Sequence, residues 1–240
     1  MRTVAAVLRR ELRGSFNTPV AYAVIVAFTV FTAGWLYFVR GFYAAGIADL
    51  RGWFGIMPIV LAFLVPATTM RSWAEELRTG TYELLATMPA AEGELVLGKF
   101  LASWALSALA LALTLPVPLF ASLLGSFDAG VLAAQYLGVL LVAATATAIG
   151  QWVSSRAKNQ VSAFIAAALL LLALVLVDRV SGFLGTGGFL AAILNWASLA
   201  YHYEAFARGV LDSRDLAYYG LVTAFFLYLT AAGLRGRRWS

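Results

Sequence analysis

Six apolar runs, at 20–39, 53–70, 100–124, 132–153, 161–177 and 216–234, alternate along this chain with shorter polar connections. A helix of ~20 apolar residues matches a hydrocarbon core of ~30 Å, so each run predicts a membrane span. The fifth is the shortest, rising roughly 25 Å as a helix. Thr18 and Pro19 supply an N-cap and a first-turn proline for the first span. Pro58 and Pro66 fall inside the second. Proline bends a helix and frees a carbonyl that neighbours must satisfy, which predicts that this span lies inside the bundle. Pro116 and Pro118 sit near the far end of the third, and Ser126 to Gly130 predict a tight turn after it. In the fourth, Gly138, Ala146 and Gly150, with Ala143 and Thr147, lie near one face, where small side chains let another helix approach closely.

Three polar or mixed stretches stand apart from these runs. In residues 2–16, at ~100° per residue, Val4, Val7, Leu8 and Leu12 share one side and Arg2, Arg9, Arg10 and Arg13 the other, which predicts an interfacial amphipathic helix. Glu11 falls within its apolar face, where a carboxylate either reaches back to water or pairs with a basic residue on a neighbouring element. Residues 71–99 are polar and locally acidic, with Glu75, Glu76, Glu83, Glu92 and Glu94 against Arg71, Arg78 and Lys99. Two short helices separated by Thr79, Gly80 and Thr81 are predicted there, parallel to the membrane and suited to a mechanical contact. Residues 178–215 open on the glycine-rich SGFLGTGG and continue as a moderately apolar stretch broken by charges, which predicts short helices that dip into or lie on the membrane.

Composition agrees with this pattern: 62% of the 240 residues are hydrophobic and 12% charged, with a mean hydropathy of +0.85. The chain is an all-α polytopic membrane protein by this reading. With no cysteine there is no disulfide framework and no thiol chemistry. The first apolar run is too long for a signal-peptide core and lacks a small-residue cleavage site, so it is expected to stay in the mature protein. Seventeen basic residues set the orientation. Arg40, Arg51, Arg179, Arg208 and Arg214 lie on one face, and all the others lie in the amphipathic start, the 71–99 stretch, the SSRAKNQ turn at 154–160 and the RGRRWS tail. Both termini are therefore expected in the cytoplasm of a bacterial cell, with the spans in its inner membrane.

The candidate chemistry is sparse. Gly93 to Lys99 reads GELVLGK, the opening of a phosphate-binding loop, but Phe100 stands where a serine or threonine would bind magnesium, and the segment leads into a membrane helix. The central portions of the spans lack ionisable residues, which argues against a secondary carrier driven by protons or ions. His202, the one histidine, has two readings: a satisfied interfacial side chain, or a pH-sensitive or ligand-binding group. Glu204 and Arg208 stand at i and i+4, as a helix-surface pair does.

The segments RRELRGSFNTPVAY (9–22), PATTMRSWAEELRTGTYELLATMP (66–89), ELVLGKF (94–100), Lys158-Asn159-Gln160 and HYEAFARGVLDSRDLAYY (202–219) together resemble the ABC-2 type transporter permeases, and within them the branch associated with gliding motility and copper-enzyme maturation. The resemblance implies a six-span subunit with a cytoplasmic connecting helix over 2–16, a coupling helix at about Trp73 to Leu85, and short outer helices over Phe189 to Leu211. It implies two permease copies, identical or not, on cytoplasmic ATPase subunits that hold the ATP and magnesium. This chain would need no cofactor, contact no nucleic acid and be no enzyme itself. Some such permeases pair with an auxiliary membrane protein carrying a large outer domain. On this reading Glu75, Glu76, Arg78 and Glu83 contact the ATPase, Arg10 and Glu11 brace the connecting helix, and the helices around Tyr201, His202, Glu204 and Arg208 close the exit. The alternative is a membrane anchor that links an ATPase to an outer partner without passing a solute.

Overall fold

The computed structural model describes residues 2–39, 50–83, 90–122, 128–183 and 188–238. Every regular element among them is helical, and six of the helical stretches are long and apolar enough to cross a membrane. The connection after Val39, the glycine-rich run at 184–187, the start of the turn before Asp128 and residues 84–89 of the polar stretch, with the last two positions of the predicted coupling helix, lie outside the described residues.

Helix α1 (Arg2–Phe16) packs lengthwise on the start of the third span and is the amphipathic helix predicted. Thr18, in extended conformation, and Pro19 start α2 (Pro19–Gly34). The threonine hydroxyl turns back to the Ser15 carbonyl (2.9 Å) instead of capping α2, whose last residues widen into a π-helical turn, Trp35–Val39. A short helix α3 (Arg51–Phe54) leads into α4 (Met57–Thr69). Trp53 and Phe54 are fully buried at this junction, and the Trp53 indole donates to the Thr32 carbonyl (2.9 Å). Pro58 and Pro66 are both buried, as expected for a proline-bearing span inside a bundle.

After a turn at Met70–Trp73 the chain makes α5 (Ala74–Thr79), which ends on Gly80 in the left-handed conformation (φ 74°). Helix α6 (Glu92–Ala112) starts inside the polar stretch, well before its first apolar run at Phe100. The apolar residues Leu95 and Val96 of these first turns are buried beside Val7 of α1, so packing extends the helix into sequence that hydropathy reads as a connection. The helix unwinds at 113–115 and restarts as α7 (Pro116–Ala121), because Pro116 cannot donate to the ladder. The Ala112 carbonyl, which Pro116 cannot serve, accepts from Leu115 N (3.1 Å), and the Thr114 hydroxyl donates to the Leu111 carbonyl (2.6 Å).

Helix α8 (Ala129–Ser154) begins on an Asp128 cap, whose carboxylate accepts from Gly130 N (2.7 Å), and forms the centre of the bundle. It packs against α4, α6 and three helices still to come. Those are α9 (Gln160–Phe183), α11 (Leu199–Ala207) and α12 (Ser213–Arg238); α10 (Phe189–Ala197) packs on α9. The predicted small-residue face of α8 is buried throughout. A Cβ on Gly138 would sit 2.5 Å from Phe206, and one on Gly150 would overlap Thr69. Helix α9 runs through Asp178 and Arg179 to 24 residues, so the span that is shortest in sequence is not short in the fold. Of the two short helices between the fifth and sixth spans, α10 buries only Ala191, whereas α11 packs tightly: its Phe206 and Tyr203 are buried against the bundle, with the Tyr203 hydroxyl on the Phe54 carbonyl (3.0 Å).

Candidate functional site

The segment with the most unusual anchoring is α5, only six residues long and too short to hold itself together. Its first backbone donors, Trp73 N and Ala74 N, both point at Ser154 Oγ from the end of α8 (3.2 and 3.1 Å), and that hydroxyl donates to the Met70 carbonyl (3.1 Å). Ser154 is fully buried and serves as the N-cap that α5 lacks in its own sequence. Past Gly80, Tyr82 anchors the other end by donating to the Leu234 carbonyl of α12 (3.0 Å). Trp73, fully buried, meets Tyr82 edge-on at 6.4 Å within a satellite core that includes Val7, Leu95, Val96 and Leu234.

Beside Trp73 lies a cluster of four charges. Lys99 of α6, 2% exposed, donates to Glu76 Oε1 of α5 (2.8 Å) and Glu11 Oε1 of α1 (3.0 Å). Its ammonium also stands 4.9 Å from the centre of the Trp73 ring. Arg10 reaches the same two carboxylates, at 2.7 Å to Glu11 and 3.2 Å to Glu76. Burial works to raise the Glu11 carboxyl, but the Lys99 charge and hydrogen bonds from Arg10 and Lys99 outweigh it and hold Glu11 below the usual carboxylate range. Two cations and two anions thus tie α1, α5 and α6 together, and Glu11 pairs across elements instead of reaching water.

Gly98, next to Lys99, allows this approach: a Cβ there would lie 2.7 Å from Val7. The glycine and lysine that mimic a phosphate-binding loop therefore serve helix packing and charge pairing.

A second, more exposed network faces away from the cluster. Glu75 accepts from Arg78 (2.6 Å) and from Gln160 Nε2 (2.5 Å), and Arg71 Nε donates to Gln160 Oε1 (3.1 Å), joining α5 to the start of α9. Asn159 caps α9, its Oδ1 accepting from Ser162 N (2.9 Å). Of the four residues expected to meet an ATPase, Arg78 and Glu83 are exposed, Glu75 is half-buried in its network, and Glu76 is turned into the chain. Lys99, Ser154 and Gln160 belong to this site and were not among the expected residues. The one signal for Lys99 was Glu11, a carboxylate on an apolar face that needed a cation.

On the opposite side of the fold, His202 is buried between Asp215, 2.7 Å from Nδ1, and the Trp196 carbonyl, 3.1 Å from Nε2. It stacks on Tyr218 at 3.7 Å and binds α11 to α10 and α12. Both ring partners are acceptors, so a doubly protonated ring satisfies both and a neutral ring only one. Tyr201 lies edge-on to it, half exposed; Glu204 and Arg208, 4.0 Å apart and both exposed, make at most a weak surface pair.

Residues 43–232 match the model of a family described as ABC-2 family transporter protein. No curated protein matches the chain.

Proposed function

This chain belongs to the ABC-2 family of transporter proteins, and from that membership we propose that it couples ATP hydrolysis on a separate cytoplasmic ATPase to movement across the bacterial inner membrane. The observation that carries this reading is the attachment of α5. A six-residue helix outside the main core is gripped by α8 through Ser154, by α6 and α1 through the Lys99 cluster, by α9 through Gln160 and by α12 through Tyr82. A push on α5 reaches all five helices at once. Arg78 and Glu83 form the exposed contact with the ATPase, Glu75 braces it, and Glu76 passes displacement inward. ATP and magnesium stay on the partner, a second permease copy completes the complex, and the His202 helices close its outer end. The motility and copper-maturation branch is the finer placement that the segments above support.

One observation favours the second reading, a force-transmitting anchor. The groove between α2, α4 and α9 is lined by apolar side chains, among them Phe28, Phe31, Ile59, Phe63 and Phe164, and offers no path for a polar solute.

The test is purification from native membranes in mild detergent, with every co-purifying protein identified. An ATPase with a complete phosphate-binding loop, one per permease, is the expected result; recovery of this chain alone after gentle crosslinking overturns the reading. A double variant, Arg78→Glu with Glu83→Lys, should lower ATPase recovery about tenfold or more. Glu76→Gln should keep the ATPase bound and weaken the dependence of hydrolysis on the permease.

A further inference from the structure

The SSRAKNQ turn between α8 and α9 carries two cations that no ion pair takes up. Arg156 and Lys158 are exposed, and among the described residues neither meets a carboxylate. Arg10, Arg71 and Lys99, in contrast, are already held by Glu11, Glu76 and Gln160. Arg156 and Lys158 rim an open cleft of about 510 Å³ between the end of α8 and the start of α9, and no acidic side chain lines it. The Arg156 guanidinium lies over the Trp152 ring, 4.8 Å from its centre, and that indole stands edge-on to Phe226 of α12 at 5.4 Å. Stacking therefore sets the guanidinium at the rim while leaving its N–H groups free to donate. Below the rim the wall becomes apolar. Ser162, Ala166 and Leu170 follow one another down one face of α9, so the cleft runs along the span for about 12 Å.

We infer that this cleft binds an anionic phospholipid of the bilayer, its phosphate on Arg156 and Lys158 and the start of an acyl chain along Ala166 and Leu170. Charge and depth select that occupant. Two accessible cations with no counter-charge attract an anion at a membrane surface. A zwitterionic lipid would set its ammonium beside both cations, in a cleft with no carboxylate to receive it. A free phosphate or an acidic protein loop would use the rim and leave the apolar wall without a partner, whereas an acyl chain covers it. Trp152 is also the residue type that marks the level of lipid head groups. The bound head group lies beside Gln160, through which α9 grips α5. The inference rests on the chain's place in a bilayer and not on the ATPase, so either can fail without the other.

The experiment is native mass spectrometry of the full chain in mild detergent, titrated in parallel with phosphatidylglycerol, phosphatidylethanolamine and phosphatidylcholine of identical acyl chains. The expected result is retention of phosphatidylglycerol about tenfold above the other two, undiminished by excess glycerol 3-phosphate. Arg156→Gln with Lys158→Gln should abolish that preference while melting within a few degrees of the parent, because both side chains are exposed and unpaired. Arg9→Gln with Arg13→Gln, an equal loss of charge on α1, should keep it. Equal binding of the three lipids by the unmodified chain overturns the inference whatever the variants do. A preference that survives the Arg156 and Lys158 changes, or that the Arg9 and Arg13 changes remove as fully, overturns it by placing the lipid elsewhere. Displacement by glycerol 3-phosphate would assign the site to a free phosphate. Efficient crosslinking of an Ala166→Cys variant to another protein chain in native membranes also overturns it, by giving the cleft to a second copy or to the ATPase.

Discussion

At the scale of single residues, Lys99 bears the largest electrostatic load. An ammonium 2% exposed is tolerable only because two carboxylates and an aromatic face replace its water. Lys99→Ala leaves Glu11 and Glu76 facing each other with Arg10 as their one strong partner, and should cost about 3 kcal/mol, read as a lowered melting midpoint. Replacing the charges together, Lys99→Met with Glu11→Gln and Glu76→Gln, should recover much of that loss, because no unpaired charge stays buried. Glu11 adds a pH dependence of definite sign. Its carboxyl titrates lower in the fold than when unfolded, so its contribution is fully present above the unfolded value of about 4.3 and is lost as pH falls through the lower folded one. Protection of the α1 amides, referred to intrinsic exchange at each pH, should be unaffected by this group from about pH 5 to 8 and fall below about pH 4. The need of Glu11 for a partner was legible in the sequence. The partner was not, because Lys99 lies 88 positions away and its own neighbours point to a different motif.

At the scale of elements, α5 shows how a helix can be specified from outside its own sequence. Its N-terminal donors are met by a serine 80 and 81 residues away, so no local capping pattern announces it. Ser154→Ala leaves two buried donors unmet and should destabilise the segment by about 1–3 kcal/mol. Faster hydrogen exchange confined to 73–79 would record this, and unchanged exchange there would deny Ser154 its role. The C-terminal stop is local and legible: Gly80 holds a positive φ that other residues adopt at a cost of about 1–2 kcal/mol. Gly98 behaves in the opposite way. It sits in ordinary helix, and only the position of Val7 makes a side chain there too large. Gly98→Val should push α1 away from α6 and cost about 1–3 kcal/mol by overpacking, whereas the same change at Gly93, with open space around its Cβ, should lack that overpacking loss.

At the scale of the whole molecule, six spans and the placement of arginine and lysine predict one arrangement in the membrane. Since the chain has no cysteine, single cysteines can report it directly. Gly14→Cys and Arg78→Cys should react with a membrane-impermeant maleimide only from the cytoplasmic side, and Asp212→Cys only from the other. Labelling of Gly14→Cys and Asp212→Cys from the same side would contradict six spans. The same architecture places the charge cluster and the His202 network at opposite ends of α8 and α12, so transmission between them would run through the most tightly packed helices of the bundle.

The sequence by itself determined the all-α membrane class, the six spans, the amphipathic first helix, the close-packing face of α8 and the polar segment between spans two and three. These follow from composition and periodicity, because transfer from water to lipid is a sum over residues and helical spacing is a local rule. Only the tertiary structure decided which charges meet, that Glu76 faces inward while Arg78 and Glu83 face out, that Ser154 caps α5, and that Arg156 and Lys158 rim a cleft walled by α8 and α9. Each of these joins residues from separate helices, and a hydrogen bond or ion pair depends on distances of a few ångströms that no local pattern specifies.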